Sequence, residues 1–177
     1  DKAGLDTIRT FPPIRIFGTY RLPEAHPDPF MFKILVDYPR KEEEIEVLEL
    51  HDKRSSESWK EQTPVVSVGE LSYLREKVHD VHVDGKIKAF IVDIVGTTRD
   101  NAWLYLGASP RASIALMNSA KAFAAISGRD FVVPEDVLYL AAPVLRHRVQ
   151  LSAEKELEGV VVDQVIQQLI AKVEIPR

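Results

Sequence analysis

Five consecutive residues, Gly107-Ala108-Ser109-Pro110-Arg111, combine a helix start with a charge that is unusual for that position. Ser109 is a good N-cap, and Pro110 is a good first helical residue because the N–H that proline lacks would have no helical partner there. Arg111 then falls in the first turn, where the helix dipole is positive and an exposed cation costs roughly 0.3–1 kcal/mol. A guanidinium at a helix N-terminus forms an anion site, and phosphate is the anion that we expect.

A second cluster, His79-Asp80-Val81-His82-Val83-Asp84, contains imidazoles and carboxylates that divalent metals use as ligands. No third histidine or cysteine follows at a useful spacing. We therefore predict a helix end followed by a loop, and no metal site.

A third cluster, Arg146-His147-Arg148, could contact a phosphate. Cations near a helix C-terminus are also favoured by the dipole and need no ligand, so we expect a structural role. Nothing in the local sequence, such as a Gly-x-Ser-x-Gly elbow, indicates a nucleophile, and no catalytic residue is predicted.

The composition excludes several function classes. With 177 residues, 45% of them hydrophobic, the chain can bury one good core or two small ones. Its net charge of −4 gives no general attraction to nucleic acid. The absence of cysteine fits a reducing cytoplasm, and no apolar run is long enough for membrane insertion. Because the chain begins with Asp1 and not with methionine, we expect a fragment.

The N-terminal part is rich in proline up to residue 39, and only Phe30 to Asp37 has the apolar content of a strand. After residue 40 the periodicity predicts helices. Their predicted ranges are 41–56, 68–80, a segment capped by Asp84, 110–127, 134–146 and 161–173. A polar loop is expected from Ser55 to Thr63, and a small hairpin from the pairing of Arg129–Val133 with Val149–Leu151.

Apolar residues at helical spacing predict which faces are buried. The predicted inward residues are Ile45, Leu48 and, as a further candidate, Val47 in the first helix; Leu71, Leu74 and Val78 in the second; Ile87, Ile91, Ile94 and Val95 in the third; and Ile114, Met117, Ala120, Phe123 and Ala124 in the fourth. Abundant alanine and serine in the fourth helix indicate close packing against its neighbours.

Many ordered signatures along the chain are similar to those of one protein family. They are Gly18-Thr19-Tyr20-Arg21-Leu22-Pro23-Glu24-Ala25, Phe30-Met31-Phe32-Lys33-Ile34, Tyr38-Pro39, Glu42-Glu43-Glu44, the segment from Gly107 to Ser113, Gly128-Arg129-Asp130, Pro134-Glu135-Asp136-Val137, Pro143-Val144-Leu145 with His147-Arg148, and Glu156-Leu157-Glu158-Gly159-Val160. In order and spacing they resemble the later part of MoxR-type AAA+ ATPases, from about residue 13 to the end.

The resemblance implies a mainly α fold: an AAA+ helical lid bundle with a small β-hairpin in residues 40–177. It implies that residues 1–39 are a remnant of the α/β AAA+ core with one strand. In that family the arginine of the matching Ser-Pro-Arg is the sensor-2 residue, which reaches the nucleotide phosphates. The resemblance assigns that role to Arg111, with Ser109 and Pro110 beside it.

Other parts of an ATPase are missing from this sequence. A P-loop needs glycine, four residues and then Gly-Lys-Ser or Gly-Lys-Thr, whereas Gly85-Lys86 is followed by Ile87 and has no glycine at the required spacing. No strand ends in the Asp-Glu pair that holds magnesium. The chain alone is therefore not expected to hydrolyse ATP or to bind ATP and magnesium tightly.

Two family positions hold proline here. Pro12 stands where the family has its sensor-1 asparagine, and Pro29 stands where the family has the arginine of Asp-Arg-Phe, the arginine finger. Proline donates no hydrogen bond to a phosphate, so neither role is transferred.

The sequence thus predicts the C-terminal fragment of a MoxR-like ATPase, with a lid that senses ATP bound in the parent protein. The family implies ring oligomers, chaperone-like remodelling with ATP and magnesium, and partners with von Willebrand factor A domains. The alternative is an ATP-independent helical interaction module derived from such a lid, which the prolines at positions 12 and 29 favour.

Overall fold

The structure of the chain is a computed structural model, which describes residues 30–53 and 65–176. Several predictions fall outside these residues. They concern Pro12, Pro29, the signature from Gly18 to Ala25, and the loop from Ser55 to Thr63.

The described residues form seven helices and one two-stranded sheet, so the expectation of a mainly α fold with a small sheet is confirmed. In chain order the elements are α1 (Lys41–Lys53), α2 (Val68–Asp80), α3 (Gly85–Thr97), β1 (Leu104–Leu106), α4 (Pro110–Ile126), α5 (Pro134–Leu145), β2 (Gln150–Leu151), α6 (Ala153–Leu157) and α7 (Val162–Ile170). No helix among the described residues has the length and apolar character required to cross a membrane.

Local capping residues explain where the central helices begin and end. Ser67 and Glu70 form a reciprocal capping box before α2, and the Asp84 carboxylate accepts the Lys86 amide hydrogen at the start of α3. The chain leaves α4 through Gly128, whose φ of +73° is a left-handed conformation that favours glycine. These predicted boundaries are confirmed.

The core lies where α3, α4, α5 and α7 meet. Ala112, Ala120 and Ala124 of α4 are fully buried, and their small side chains let α4 approach α3 and α5 closely. The predicted stripe of α3 is buried, with Phe90 added to it. In α4 the prediction was wrong for Ile114, which is 56% exposed.

The small sheet pairs different segments from those predicted. β2 pairs antiparallel with β1, with Leu104 opposite Leu151 and Leu106 opposite Gln150. The pairing of Arg129–Val133 with Val149–Leu151 was therefore wrong. Phe131 instead forms a parallel bridge with His82, which ties the end of α2 to the turn before α5.

Two predictions for the region up to the end of α2 were also wrong. Residues 30–37 contain no strand; they form an irregular segment that contacts the end of α5. Ile45 and Leu48 of α1 are 47% and 66% exposed, and Leu71 and Leu74 of α2 are 45% and 51% exposed. Within the described residues, these apolar stripes face solvent and not a core.

Candidate functional site

The first turn of α4 has one buried side and one exposed side. The Ser109 hydroxyl accepts the Arg111 amide hydrogen at 3.3 Å, which confirms Ser109 as the N-cap. Pro110 occupies the first helical position, and Ala112 is fully buried. The Arg111 side chain lies on the exposed side. The turn therefore presents a guanidinium to the surface from a well-packed helix.

Thr98, directly after α3, fixes the residues that precede this turn. Its hydroxyl accepts the Ala108 amide hydrogen at 2.9 Å and donates its own hydrogen to the Val95 carbonyl at 2.6 Å. Thr98 and Ala108 are each 1% exposed, so water is excluded from this hydrogen bond. The end of α3 thus determines where α4 begins.

Gly107 permits this close approach. A Cβ atom at Gly107 would lie 2.6 Å from the Thr98 carbonyl oxygen and 2.7 Å from the Arg99 Cα, both of them backbone atoms that cannot rotate away. Only glycine fits there without a backbone shift.

Arg99 brings a second cation to the same junction. Its side chain is exposed on one side, and its Nε donates to the Ala108 carbonyl at 2.9 Å. Sequence reasoning missed Thr98 and Arg99, because no local pattern indicates which carbonyl and amide groups meet across a loop of nine residues. The junction therefore carries two guanidinium groups, Arg99 bound to backbone and Arg111 at the helix start.

Comparison with known proteins places this junction in a domain of known type. A protein-family model described as the AAA lid domain matches residues 96–169, a range that begins at the end of α3 and includes Arg111. The chain is 33% identical over 174 residues to the chaperone MoxR1 of Mycobacterium tuberculosis, a match covering 93% of the chain and 45% of that protein. The chain contains the AAA lid domain of a MoxR-type AAA+ ATPase.

Two further proteins are similar to most of the chain. The uncharacterized protein YeaC of Bacillus subtilis is 40% identical over 164 residues, a match covering 93% of the chain and 51% of YeaC. A crystal structure of a protein assigned as an ATPase, from Cytophaga hutchinsonii, aligns over 93% of the chain and 52% of its own length with a TM-score of 0.81 and 34% identity. The chain spans about half the length of the curated relatives it matches.

Neither a phosphate cradle at Gly85-Lys86 nor a cluster of metal ligands is present among the described residues of this MoxR-type lid. Gly85 and Lys86 open α3, and the Lys86 amide hydrogen is taken by the Asp84 carboxylate at 2.8 Å, so this start does not cradle a phosphate. No three His, Asp or Glu side chains in the described part of the chain lie close enough together to hold a metal ion.

The Arg146-His147-Arg148 cluster has structural partners, as predicted. Arg146 forms an ion pair with Asp163 of α7 at 2.9 Å, and the side chains of all three residues bind backbone carbonyls of residues 30–33. The cluster lies at the end of α5, where cations are favoured by the dipole.

A partly buried ion pair joins the turn after α4 to the first turn of α5. Arg129 forms two hydrogen bonds with the Asp136 carboxylate, at 2.8 and 2.6 Å, and one Asp136 oxygen also accepts the Val133 amide hydrogen at 3.0 Å. Burial by itself raises the pKa of Asp136, but the hydrogen bonds lower it by a larger amount. The pKa of Asp136 therefore lies below its ordinary value. The hydrogen bonds that Arg129 donates to Asp136 raise the pKa of Arg129.

Proposed function

We propose that this chain is the nucleotide-sensing part of a MoxR-type ATPase and that Arg111 is its sensor-2 residue. The observation that carries the proposal is the placement of Arg111, whose exposed guanidinium lies on a helix turn with a buried opposite side at Ala112. Ala108, just before this turn, is hydrogen-bonded to Thr98 at the end of α3. Sequence similarity to the chaperone MoxR1 supports a remodelling role for the whole protein.

The physical role follows from the charge of Arg111. As the γ-phosphoryl group of ATP transfers, negative charge spreads over its oxygens, and a guanidinium held at a fixed position stabilises that charge. Because Arg111 is fixed to the lid core, contact with the phosphate also favours one position of the lid. Loss of the phosphate on hydrolysis would release that preference.

The proposal also includes the parts of the ATPase that lie outside this sequence. ATP and magnesium would be held by a P-loop and an acidic pair that this sequence does not contain, and neighbouring subunits would complete a ring. Partners with von Willebrand factor A domains are a family-based part of the proposal. Localisation in the cytoplasm is a further expectation.

The test joins this chain to the remaining part of the Cytophaga hutchinsonii protein assigned as an ATPase and measures ATP hydrolysis. Arg111→Ala should lower the hydrolysis rate about 10²-fold, the usual effect of removing one fixed donor to a developing charge. Arg111→Lys should retain part of the rate because it keeps the charge. Arg75→Ala removes an exposed arginine of α2 and is the matched control. An unchanged rate in Arg111→Ala would reject the sensor-2 assignment.

The second candidate function is an ATP-independent interaction module. It is favoured by the exposed apolar residues of α1 and α2, among them Leu48, Leu71 and Leu74. This candidate predicts that Arg111→Ala is silent, whereas Leu71→Ser with Leu74→Ser abolishes assembly measured by analytical ultracentrifugation. The proposed sensing function predicts a loss of hydrolysis in Arg111→Ala whatever the assembly state.

A further inference from the structure

The C-terminus of α5 binds a separate part of the chain. The last four carbonyls of a helix have no partners within the helix, and in α5 each of them accepts a hydrogen bond. The carbonyl of Ala142 accepts a hydrogen bond from the Arg146 amide, and the carbonyl of Pro143 accepts one from the Lys33 amide. Arg148 supplies the other two donors: its guanidinium binds the Val144 carbonyl and its amide binds the Leu145 carbonyl. The Lys33 bond, at 3.0 Å, reaches across more than a hundred residues of sequence.

Hydrogen bonds also run from the end of α5 to the carbonyls of residues 30–33. The Phe30 carbonyl accepts from the Arg148 guanidinium and lies 2.8 Å from His147 Nε2. The Met31 carbonyl accepts from Arg148 at 3.1 Å, and the Lys33 carbonyl accepts from Arg146 at 3.2 Å. Three consecutive side chains therefore hold one short segment by its backbone.

Arg148 is the central residue of this arrangement. It is 8% exposed, and its guanidinium donates to Phe30, Met31 and Val144 at the same time. A buried cation without hydrogen bonds is costly, so the segment and the helix end both supply acceptors that Arg148 requires. The planar fork of arginine reaches carbonyls on both sides, which a lysine ammonium on a flexible stem does less well.

We infer that Arg146, His147 and Arg148 form a junction clamp, which fixes the direction in which the chain enters the lid. The three residues are positioning residues: they make segment 30–33 and the helices α5 and α7 move as one unit. Arg146 extends the clamp to α7 through its ion pair with Asp163. One consequence rests on the proposed function: a shift of the chain before residue 30 would be passed to the lid and to Arg111.

The first experiment measures hydrogen exchange of the Lys33 amide in the full chain by NMR, together with global unfolding in urea. Arg148→Gln should speed Lys33 exchange by about tenfold beyond its effect on global unfolding, since bonds made by charged donors are worth at least that factor. Arg148→Lys should give an intermediate rate. Arg129→Gln removes another arginine that pairs inside the lid, and its Lys33 exchange should follow global stability alone.

The second experiment uses the absence of cysteine from the sequence. Cysteines introduced at Val36 and Ile126, which are 87% and 84% exposed, can carry spin labels for a distance measurement by double electron–electron resonance. The distance distribution should be narrow in the parent chain and in Arg129→Gln, and broad in Arg148→Gln. This readout reports the position of the segment relative to α4 and does not depend on ATP.

A milder variant keeps the test valid if Arg148→Gln does not fold. His147→Phe keeps an aromatic ring and removes the contact with the Phe30 carbonyl, while Arg146 and Arg148 stay in place. It should broaden the distance distribution less than Arg148→Gln, without a large change in circular dichroism. A narrow distribution and unchanged Lys33 exchange in the folded clamp variants would overturn the inference, whether or not Arg111 senses ATP.

Discussion

The hydroxyl of Thr98 accepts the amide hydrogen of Ala108 at 2.9 Å, so the residue directly after α3 binds the residue that precedes the N-cap of α4. Both residues are almost fully buried. Because water cannot reach this hydrogen bond and compete for its donor or acceptor, a movement of α3 should be transmitted to the turn that carries Arg111.

Replacement of Thr98 by valine should destabilise the chain by about 1–3 kcal/mol, because the buried Ala108 amide loses its acceptor while the side-chain volume is kept. Urea unfolding followed by circular dichroism measures this change. The matched control is Thr97→Val, whose hydroxyl donates only to the Ile94 carbonyl of its own helix at 2.7 Å. Equal effects of the two substitutions would contradict the assigned role of Thr98.

Two glycines near this junction should respond in opposite directions to alanine. Gly107→Ala places a Cβ 2.6 Å from the Thr98 carbonyl and should destabilise the chain by about 1–3 kcal/mol through the forced shift. Gly96 lies in α3, and a Cβ there meets nothing within 4 Å. Gly96→Ala should stabilise by about 0.5–1 kcal/mol, since alanine is the better helix former. Thermal unfolding of both variants tests the difference in sign.

Features set by neighbouring residues were predictable from the sequence. Ser67, Asp84 and Ser109 cap helices at the predicted positions because a cap depends on groups two or three residues away. The spacing of Ile87, Ile91 and Ile94 gave the buried face of α3 for the same reason.

Features set by distant residues were not predictable. β2 pairs with Leu104–Leu106 and not with Arg129–Val133, because two short extended pieces carry no signal that selects between partners. Phe30 to Asp37 is apolar, as a strand would be, yet its carbonyls bind Arg148 and His147. At the candidate site, Ser109 was predicted from local capping, whereas Thr98 and Arg99 act across a loop.

The stability of the chain in acid should depend on Asp136. Its pKa in the folded chain is below the ordinary value of 3.8, so the ionised carboxylate stabilises the fold above that pH, and this contribution is lost as the pH falls through the folded pKa. Asp136→Asn should lower the free energy of unfolding at pH 7 by about 1–3 kcal/mol and flatten its decline below pH about 4.

The measurement for Asp136 is urea unfolding at a series of pH values between 2 and 7, a range wide enough to bracket a typical carboxyl pKa of about 4. Glu135→Gln removes an exposed carboxylate of the same helical turn and should leave the acid decline in place. If both variants kept the same steep decline, another carboxylate would be responsible for it.

Removal of the charge at Arg111 should stabilise the isolated chain. Arg111 lies at the positive end of the α4 dipole, so Arg111→Gln should raise the free energy of unfolding by about 0.3–1 kcal/mol at low salt. Ser109→Ala, which removes the N-cap of the same turn, should lower it by about 1 kcal/mol. The gain for Arg111→Gln should shrink as salt screens the dipole. If Arg111 lowers the stability of the lid and is also required for hydrolysis in the joined ATPase, its role is contact with phosphate. If Arg111→Gln instead lowered the free energy of unfolding at every salt concentration, the role of Arg111 would be to stabilise the lid.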